Sequence, residues 1–272
     1  MLLPDPGYTD YLAGVLLAKG QPKPLKLSRA RHYLPDWNAV DTTNTRLIYL
    51  TYPNNPTGSV ATKAFFQDTI DRFKQTKTKI VHDFAYQAFG FDQPNPSILQ
   101  AEGAKSCAVE VFSFSKGYNM SGYRVGFAVG NAEMIENLQK YHTHTQAGMY
   151  GALQDACTVA LNECDDVLYE QSRVFGHRRD LIEKTLNEAE IPHEPIKGGI
   201  FLWLQCPNGF TSDAFIDYLL QEKSILAAPG HPFGEEGEGY VRISFAIDEA
   251  QLNTALERLV SLKALYQNDS TN

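Results

Sequence analysis

The chain has 272 residues, 43% hydrophobic and 21% charged, with a formal net charge of −8 at pH 7. This is the composition of a globular protein large enough for one large or about two ordinary domains, and its acidity, with no Lys/Arg-rich run, argues against a nucleic-acid partner. The absence of a signal peptide and of any stretch of about 20 apolar residues argues against export and membrane insertion, and four scattered cysteines without CxxC spacing suit reduced thiols of the cytoplasm.

Met1 to Leu3 reads as a short apolar strand running straight into a Pro4-Asp5-Pro6-Gly7 turn, so the chain is expected to begin inside a fold rather than at a frayed terminus. The spacing of Tyr8, Tyr11, Leu12, Val15 and Leu16 predicts a helix over 8–19 with those side chains near one face, followed by a Pro/Lys-rich connection. Leu47 to Leu50 is a buried strand by pattern, and Asn54-Asn55-Pro56-Thr57-Gly58 a turn. Thr62 is placed to cap a helix with Phe66, Ile70 and Phe73 inward. Further strands are predicted over 79–81, ending in His82-Asp83-Phe84-Ala85-Tyr86, over 109–114, ending in Ser115-Lys116, and over 125–130. Helices follow over 132–144, 149–162 and 165–190, the last interrupted at Gly176. Ile200 to Leu204 is a strand, and Thr211 caps a helix with Phe215, Ile216, Leu219 and Leu220 inward. Strands over 225–228 and 240–245 precede a last helix burying Leu252, Leu256, Leu259 and Val260. Alternating strands and helices predict an α/β fold with a largely parallel sheet over 1–165, a connecting helix over 166–190 and a smaller α+β domain over 191–272.

In a parallel sheet the ligand lies beyond the carboxyl ends of the strands. Those ends deliver Asn55, then Asp83 with Tyr86, then Ser113, Ser115 and Lys116, with Arg124 returning eight residues after the lysine. Desolvating an ammonium at the end of a buried strand lowers its pKa and frees the lone pair, which suits a Schiff-base amine. Two hydroxyls and one planar guanidinium suit a phosphate. Taken singly, each residue has an ordinary reading: Asp83 as a cap, Asn55 as a turn residue, Tyr8 as core, Arg242 as a surface side chain with a packed stem, Lys116 as a lysine reaching for solvent. His142 and His144 alternate on a helix, a poor spacing for a shared metal, and read as surface. His82 is placed beside Asp83 to orient it.

Tyr52 to Gly58, His82 to Tyr86, Ser113-Phe114-Ser115-Lys116 with Arg124, and Val241-Arg242-Ile243-Ser244 together resemble the class I/II aminotransferases that depend on pyridoxal 5′-phosphate, of fold type I. Pro4 to Tyr8 and Tyr118 to Gly122 resemble the branch containing alanine and LL-diaminopimelate aminotransferases. The resemblance implies that Lys116 holds the cofactor and moves the proton, and that Asp83 pairs with the ring nitrogen. It implies hydrogen bonds from Tyr86 and Asn55 to the ring oxygen, Ser113, Ser115 and Arg124 at the phosphate, Tyr8 against the ring face, and Arg242 on the substrate α-carboxylate. Amino acid and 2-oxo acid substrates, a homodimer and a cytoplasmic location follow by the same resemblance. The family's chain normally starts well before the Pro4–Tyr8 turn, with an N-terminal arm, a first strand and a phosphate-binding helix N-terminus, so an N-terminally truncated member is expected. A non-catalytic, dimerising remnant and a C–S lyase of the same fold stay open as alternatives.

Overall fold

The computed structural model describes residues 1–267. Its strands, in chain order, are β1 (Leu2–Asp5), β2 (Lys23–Lys26), β3 (Leu47–Thr51), β4 (Lys79–Asp83), β5 (Ala108–Ser113), β6 (Gly126–Gly130), β7 (Phe201–Gln205), β8 (Ala228–Pro229) and β9 (Tyr240–Ser244). The helices are α1 (Asp10–Leu17), α2 (Lys63–Phe73), α3 (Phe114–Gly117), α4 (Ala132–Gln146), α5 (Gly151–Glu163), α6 (Asp165–Glu188), α7 (Ser212–Lys223), α8 (Glu249–Val260) and α9 (Lys263–Gln267).

Six strands form one sheet in the order β2-β1-β3-β4-β5-β6, parallel throughout except for β6, which runs antiparallel to β5. Strand order reverses between β1 and β3, which touch at a single register pair, Leu2 with Ile48. Such a reversal opens a crevice at the carboxyl edge, because the chains leaving the two strands turn away from each other. A second, antiparallel sheet has the order β7-β9-β8. The central strands bury one face more deeply than the other: Ile48, Leu50 and Ile80 are buried, while Leu47, Tyr49 and Val81 on the opposite face are half-buried. Leu2, Leu25, Ile48, Leu50, Ile80 and Ala108 pack with Trp37, Phe66, Ile70 and Phe73 in one core. A second core joins Phe89, Phe175, Ile182 and Leu186 to β7 and to Leu252, Leu256 and Leu259 of α8. Thr62 caps α2 as expected, its hydroxyl accepting from the Phe65 amide at 3.1 Å.

Several sequence expectations need correction. The Pro/Lys-rich connection contains an edge strand, β2, whose register with β1 runs from Leu2–Lys23 to Asp5–Lys26. Helix α6 passes through Gly176 without a break, and a side chain added there would meet only the Phe91 ring, at 3.5 Å. The strand placed over 225–228 shrinks to Ala228–Pro229. Leu12, Leu16, Leu220 and Val260 are exposed, so the stripes of α1, α7 and α8 are narrower than their apolar residues suggest. His82 does not serve Asp83: strand side chains alternate, and His82 lies fully buried, its Nδ1 2.7 Å from Oε1 of Glu110 on β5. That carboxylate also accepts from the Ile98 amide and the Ser97 hydroxyl.

Candidate active site

Each strand end at the crevice is held by its own local chemistry. After β3, the Asn54–Gly58 turn closes on hydrogen bonds from Gly58 N to Asn54 O (2.9 Å) and from Asn54 N to Ser59 O (2.8 Å). Gly58 has φ +72°, the left-handed conformation that glycine adopts at no steric cost. Its carbonyl accepts from the amides of Lys197 and Gly198, tying the turn to the approach to β7. After β4, the Asp83 carboxylate is held from two sides: Oδ1 accepts from the Ala85 amide at 3.0 Å, and Oδ2 from the Tyr11 hydroxyl at 2.6 Å. After β5, Ser113 caps the single turn of α3, its Oγ accepting from the Ser115 amide at 3.1 Å, and Lys116 projects from that turn. Arg124 sits at φ +56°, and its Nη1 donates to the Ser121 carbonyl at 2.9 Å.

The second sheet closes the crevice. Arg242, from β9, donates through Nη1 to Oδ1 of the buried Asn55 at 2.8 Å. Its Cζ lies 4.2 Å from the Phe201 ring centroid and 4.6 Å from that of Phe233. Tyr8 stands edge-on to Tyr11 (5.5 Å, 77°), and Tyr11 stacks on Tyr49 (4.9 Å, 22°). The Tyr8 hydroxyl donates to Asp10 at 2.8 Å.

All nine side chains singled out in the sequence, Tyr8, Asn55, Asp83, Tyr86, Ser113, Ser115, Lys116, Arg124 and Arg242, line one cavity of about 330 Å³. Tyr11, Thr51 and Phe201 line it as well. An adjoining cavity of about 440 Å³ shares Ser115, Lys116 and Ser121 with it. Tyr11 escaped the sequence reading because it falls on the same helical stripe as Val15 and reads as core. Phe201 escaped because it opens an apolar strand. Neither spacing carries a polar signal.

Electrostatically the cavity mixes one carboxylate with three cationic side chains, a balance that favours an anionic guest. Burial, and then the negative charge of Asp83, hold the Tyr86 phenol above its ordinary value, while Arg242 works the other way. The same two causes, reinforced by its hydrogen bond to Asp83, hold Tyr11 well above, so both phenols stay protonated and able to donate. Burial pulls the Arg242 guanidinium down from the usual arginine value, the Tyr86 and Tyr8 phenols opposing it.

The profile of the family "Aminotransferase class I and II" matches residues 1–259. The chain is 41% identical over 271 residues to the L-glutamine–4-(methylsulfanyl)-2-oxobutanoate aminotransferase of Bacillus subtilis, covering 98% of this chain and 68% of that one. It is 39% identical over 264 residues to the LL-diaminopimelate aminotransferase of Halothermothrix orenii, covering 95% and 67%. Among solved structures, an aminotransferase from Staphylococcus aureus superposes with a TM-score of 0.95 at 61% identity, over 97% of this chain and 71% of that one. The apo structure of BacF from Bacillus subtilis superposes with a TM-score of 0.91 at 37% identity, over 96% and 71%. The chain thus spans about two thirds of the length of these curated relatives.

Proposed function

Because this chain belongs to the class I and II aminotransferases, enzymes that move an amino group between an amino acid and a 2-oxo acid, we propose that its crevice holds pyridoxal 5′-phosphate. The fit rests on the donor set. A carboxylate with two fixed donors, a lysine amine, two phenols, two serines and a guanidinium share one cavity, and each matches one part of that cofactor. This convergence of nine residues from both sheets carries the reading. When bound, the cofactor supplies a sink for the electron pair left as the substrate's Cα–H bond breaks.

The chain's own residues do the rest. Asp83, oriented by the Tyr11 hydroxyl and the Ala85 amide, is the carboxylate that would pair with the ring nitrogen. Asn55 gives its Oδ1 to Arg242 and so keeps its Nδ2 hydrogens for the ring oxygen, where the protonated Tyr86 also donates. Ser113 accepts through Oγ from the Ser115 amide, which leaves its own hydroxyl proton free for the phosphate beside Ser115 and Arg124. Tyr8 covers the ring face. Lys116 would hold the cofactor through Nζ, and the same amine, once released, would carry the proton taken from the substrate's Cα. Arg242 has one Nη1 hydrogen committed to Asn55 and offers its remaining in-plane donors to the substrate's α-carboxylate, the group that glutamine and LL-diaminopimelate share. Residues 1–165 then supply the cofactor contacts, and 191–272 carry the carboxylate grip beyond the connecting helix 166–190.

Borohydride treatment of the cofactor-loaded protein should fix the cofactor's mass on the peptide carrying Lys116, with none in Lys116→Ala. No mass on that peptide at saturating cofactor would overturn the reading. A panel of amino donors against 2-oxoglutarate then assigns the side-chain preference. The homodimer and cytoplasmic location belong to the same proposal; light scattering at working concentration tests the first, and a monomer there counts against it.

A further inference from the structure

The guanidinium of Arg242 packs against two phenylalanine rings contributed by different parts of the second sheet's surroundings. Phe201 opens β7 and is fixed by the β7–β9 ladder, in which Trp203 pairs with Arg242 and Phe201 with Ser244. Phe233 ends a short turn over His231–Phe233. That turn is anchored to the first sheet: the Phe233 carbonyl accepts from the Gly7 amide at 2.7 Å, and Asp5 Oδ1 accepts from the Glu236 amide at 3.0 Å. Gly234, at φ +134°, passes so close to the Asp5 carboxylate that no side chain fits there. Both rings are buried and both centroids are within cation–π range of the guanidinium carbon.

All five N–H donors of a guanidinium lie in its plane. Two rings packed against the guanidinium carbon therefore shield it from water and restrict its orientation without consuming any of those donors. Asn55 then takes one position on the edge. What remains is a rigid, partly desolvated fork with its free donors in one plane, which is the shape complementary to a planar carboxylate.

We infer that Phe201 and Phe233 form an aromatic clamp that positions Arg242 for the carboxylate of the amino acid and 2-oxo acid. This rests on the reading of Arg242 as the carboxylate site. The two phenylalanines are positioning residues: they act on the substrate through Arg242, not on the cofactor.

Calorimetric titration of the cofactor-loaded protein with 2-oxoglutarate tests the clamp. Phe233→Leu keeps an apolar side chain but removes the π face, and is expected to weaken 2-oxoglutarate binding roughly tenfold. The cofactor's dissociation constant should stay as in the unaltered chain, and Phe233→Tyr, which restores a ring, should recover most of the loss. Unchanged 2-oxoglutarate binding in Phe233→Leu overturns the clamp. So does a parallel loss of cofactor and 2-oxoglutarate affinity, which would mark Phe233 as ordinary packing. If Arg242→Ala binds 2-oxoglutarate as tightly as the unaltered chain, the carboxylate reading of Arg242 itself fails and the clamp goes with it.

Discussion

Asp83 and Lys116 divide the proposed chemistry between them: one fixes a charge at the ring, the other carries a proton. Asp83→Asn keeps the shape but removes the negative charge, and its single acceptor oxygen can serve the Ala85 amide or the Tyr11 hydroxyl but not both. Turnover in an amino-donor assay is expected to fall on the order of a hundredfold or more, while the fold is retained. The strand-end residues were legible in the sequence because a carboxylate, an asparagine or a lysine is conspicuous at the end of an apolar run. Tyr11 and Phe233 were not. A tyrosine on an apolar helical stripe looks like core until its hydroxyl is seen 2.6 Å from Asp83, and a phenylalanine in a Gly/Pro-rich loop has no pattern to place it against an arginine.

At the scale of elements, the strong periodic segments came through and the polar or composite ones did not. Strand β2 has only Leu25 buried among Lys23, Pro24 and Lys26, because an edge strand is kept polar to discourage further pairing. Gly176 looked like a break in α6, but backbone bonding carries the helix through it. An Ala methyl there would meet the Phe91 ring at ordinary contact distance. Gly176→Ala is therefore expected to stabilise the protein by about 0.5–1 kcal/mol in urea unfolding. Helix α6 also sets a pH dependence through His193, whose Nδ1 lies 2.8 Å from the Ile191 carbonyl and whose Nε2 lies 3.3 Å from Glu183 of α6. Both ring nitrogens face acceptors, so the doubly protonated ring is the satisfied one. Burial is the largest influence on His193 and opposes that charge, but the acceptors outweigh it and hold the histidine above its ordinary 6.5. For Glu183 burial again opposes the charge, and His193 and the Ile196 amide outweigh it, holding the carboxyl below 4.5. The raised histidine contributes stability in full below pH 6.5 and loses it as pH rises through the folded value. The depressed glutamate contributes above pH 4.5 and loses it as pH falls through its folded value. The pair's contribution should peak between pH 4.5 and 6.5, and a series of Tm measurements against pH should show it declining as pH rises above the upper limit and as it falls below the lower one, with both declines flattened in Glu183→Gln.

For the whole molecule, cofactor binding and folding are linked. A guest that binds only the folded chain, at a hundred times its dissociation constant, stabilises by about 2.7 kcal/mol. For a chain of this size that is a rise in Tm of about 5–10 °C on adding pyridoxal 5′-phosphate, and a smaller one in Lys116→Ala. Differential scanning calorimetry reads both. At this scale the sequence was most informative about order: the strand ends appear along the chain in the sequence in which they meet at the crevice. It was least informative about how the second sheet meets the first, since that depends on contacts such as Lys26–Glu236 and Gly7–Phe233, more than 200 residues apart in the chain, which leave no local trace.

The corner where Asp5 and Gly7 meet Phe233, Gly234 and Glu236 carries Tyr8 on one side and the Phe233 ring on the other. Two recognition surfaces hung on one backbone joint cannot be ordered independently, so whatever steadies the joint for one guest steadies it for the other. By reciprocity, the factor by which cofactor tightens carboxylate binding equals the factor by which carboxylate tightens cofactor binding. Gly234→Ala, which would press a methyl into Asp5 from a left-handed backbone, is expected to loosen both at once. Phe233→Leu, acting on the ring alone, should loosen only the carboxylate.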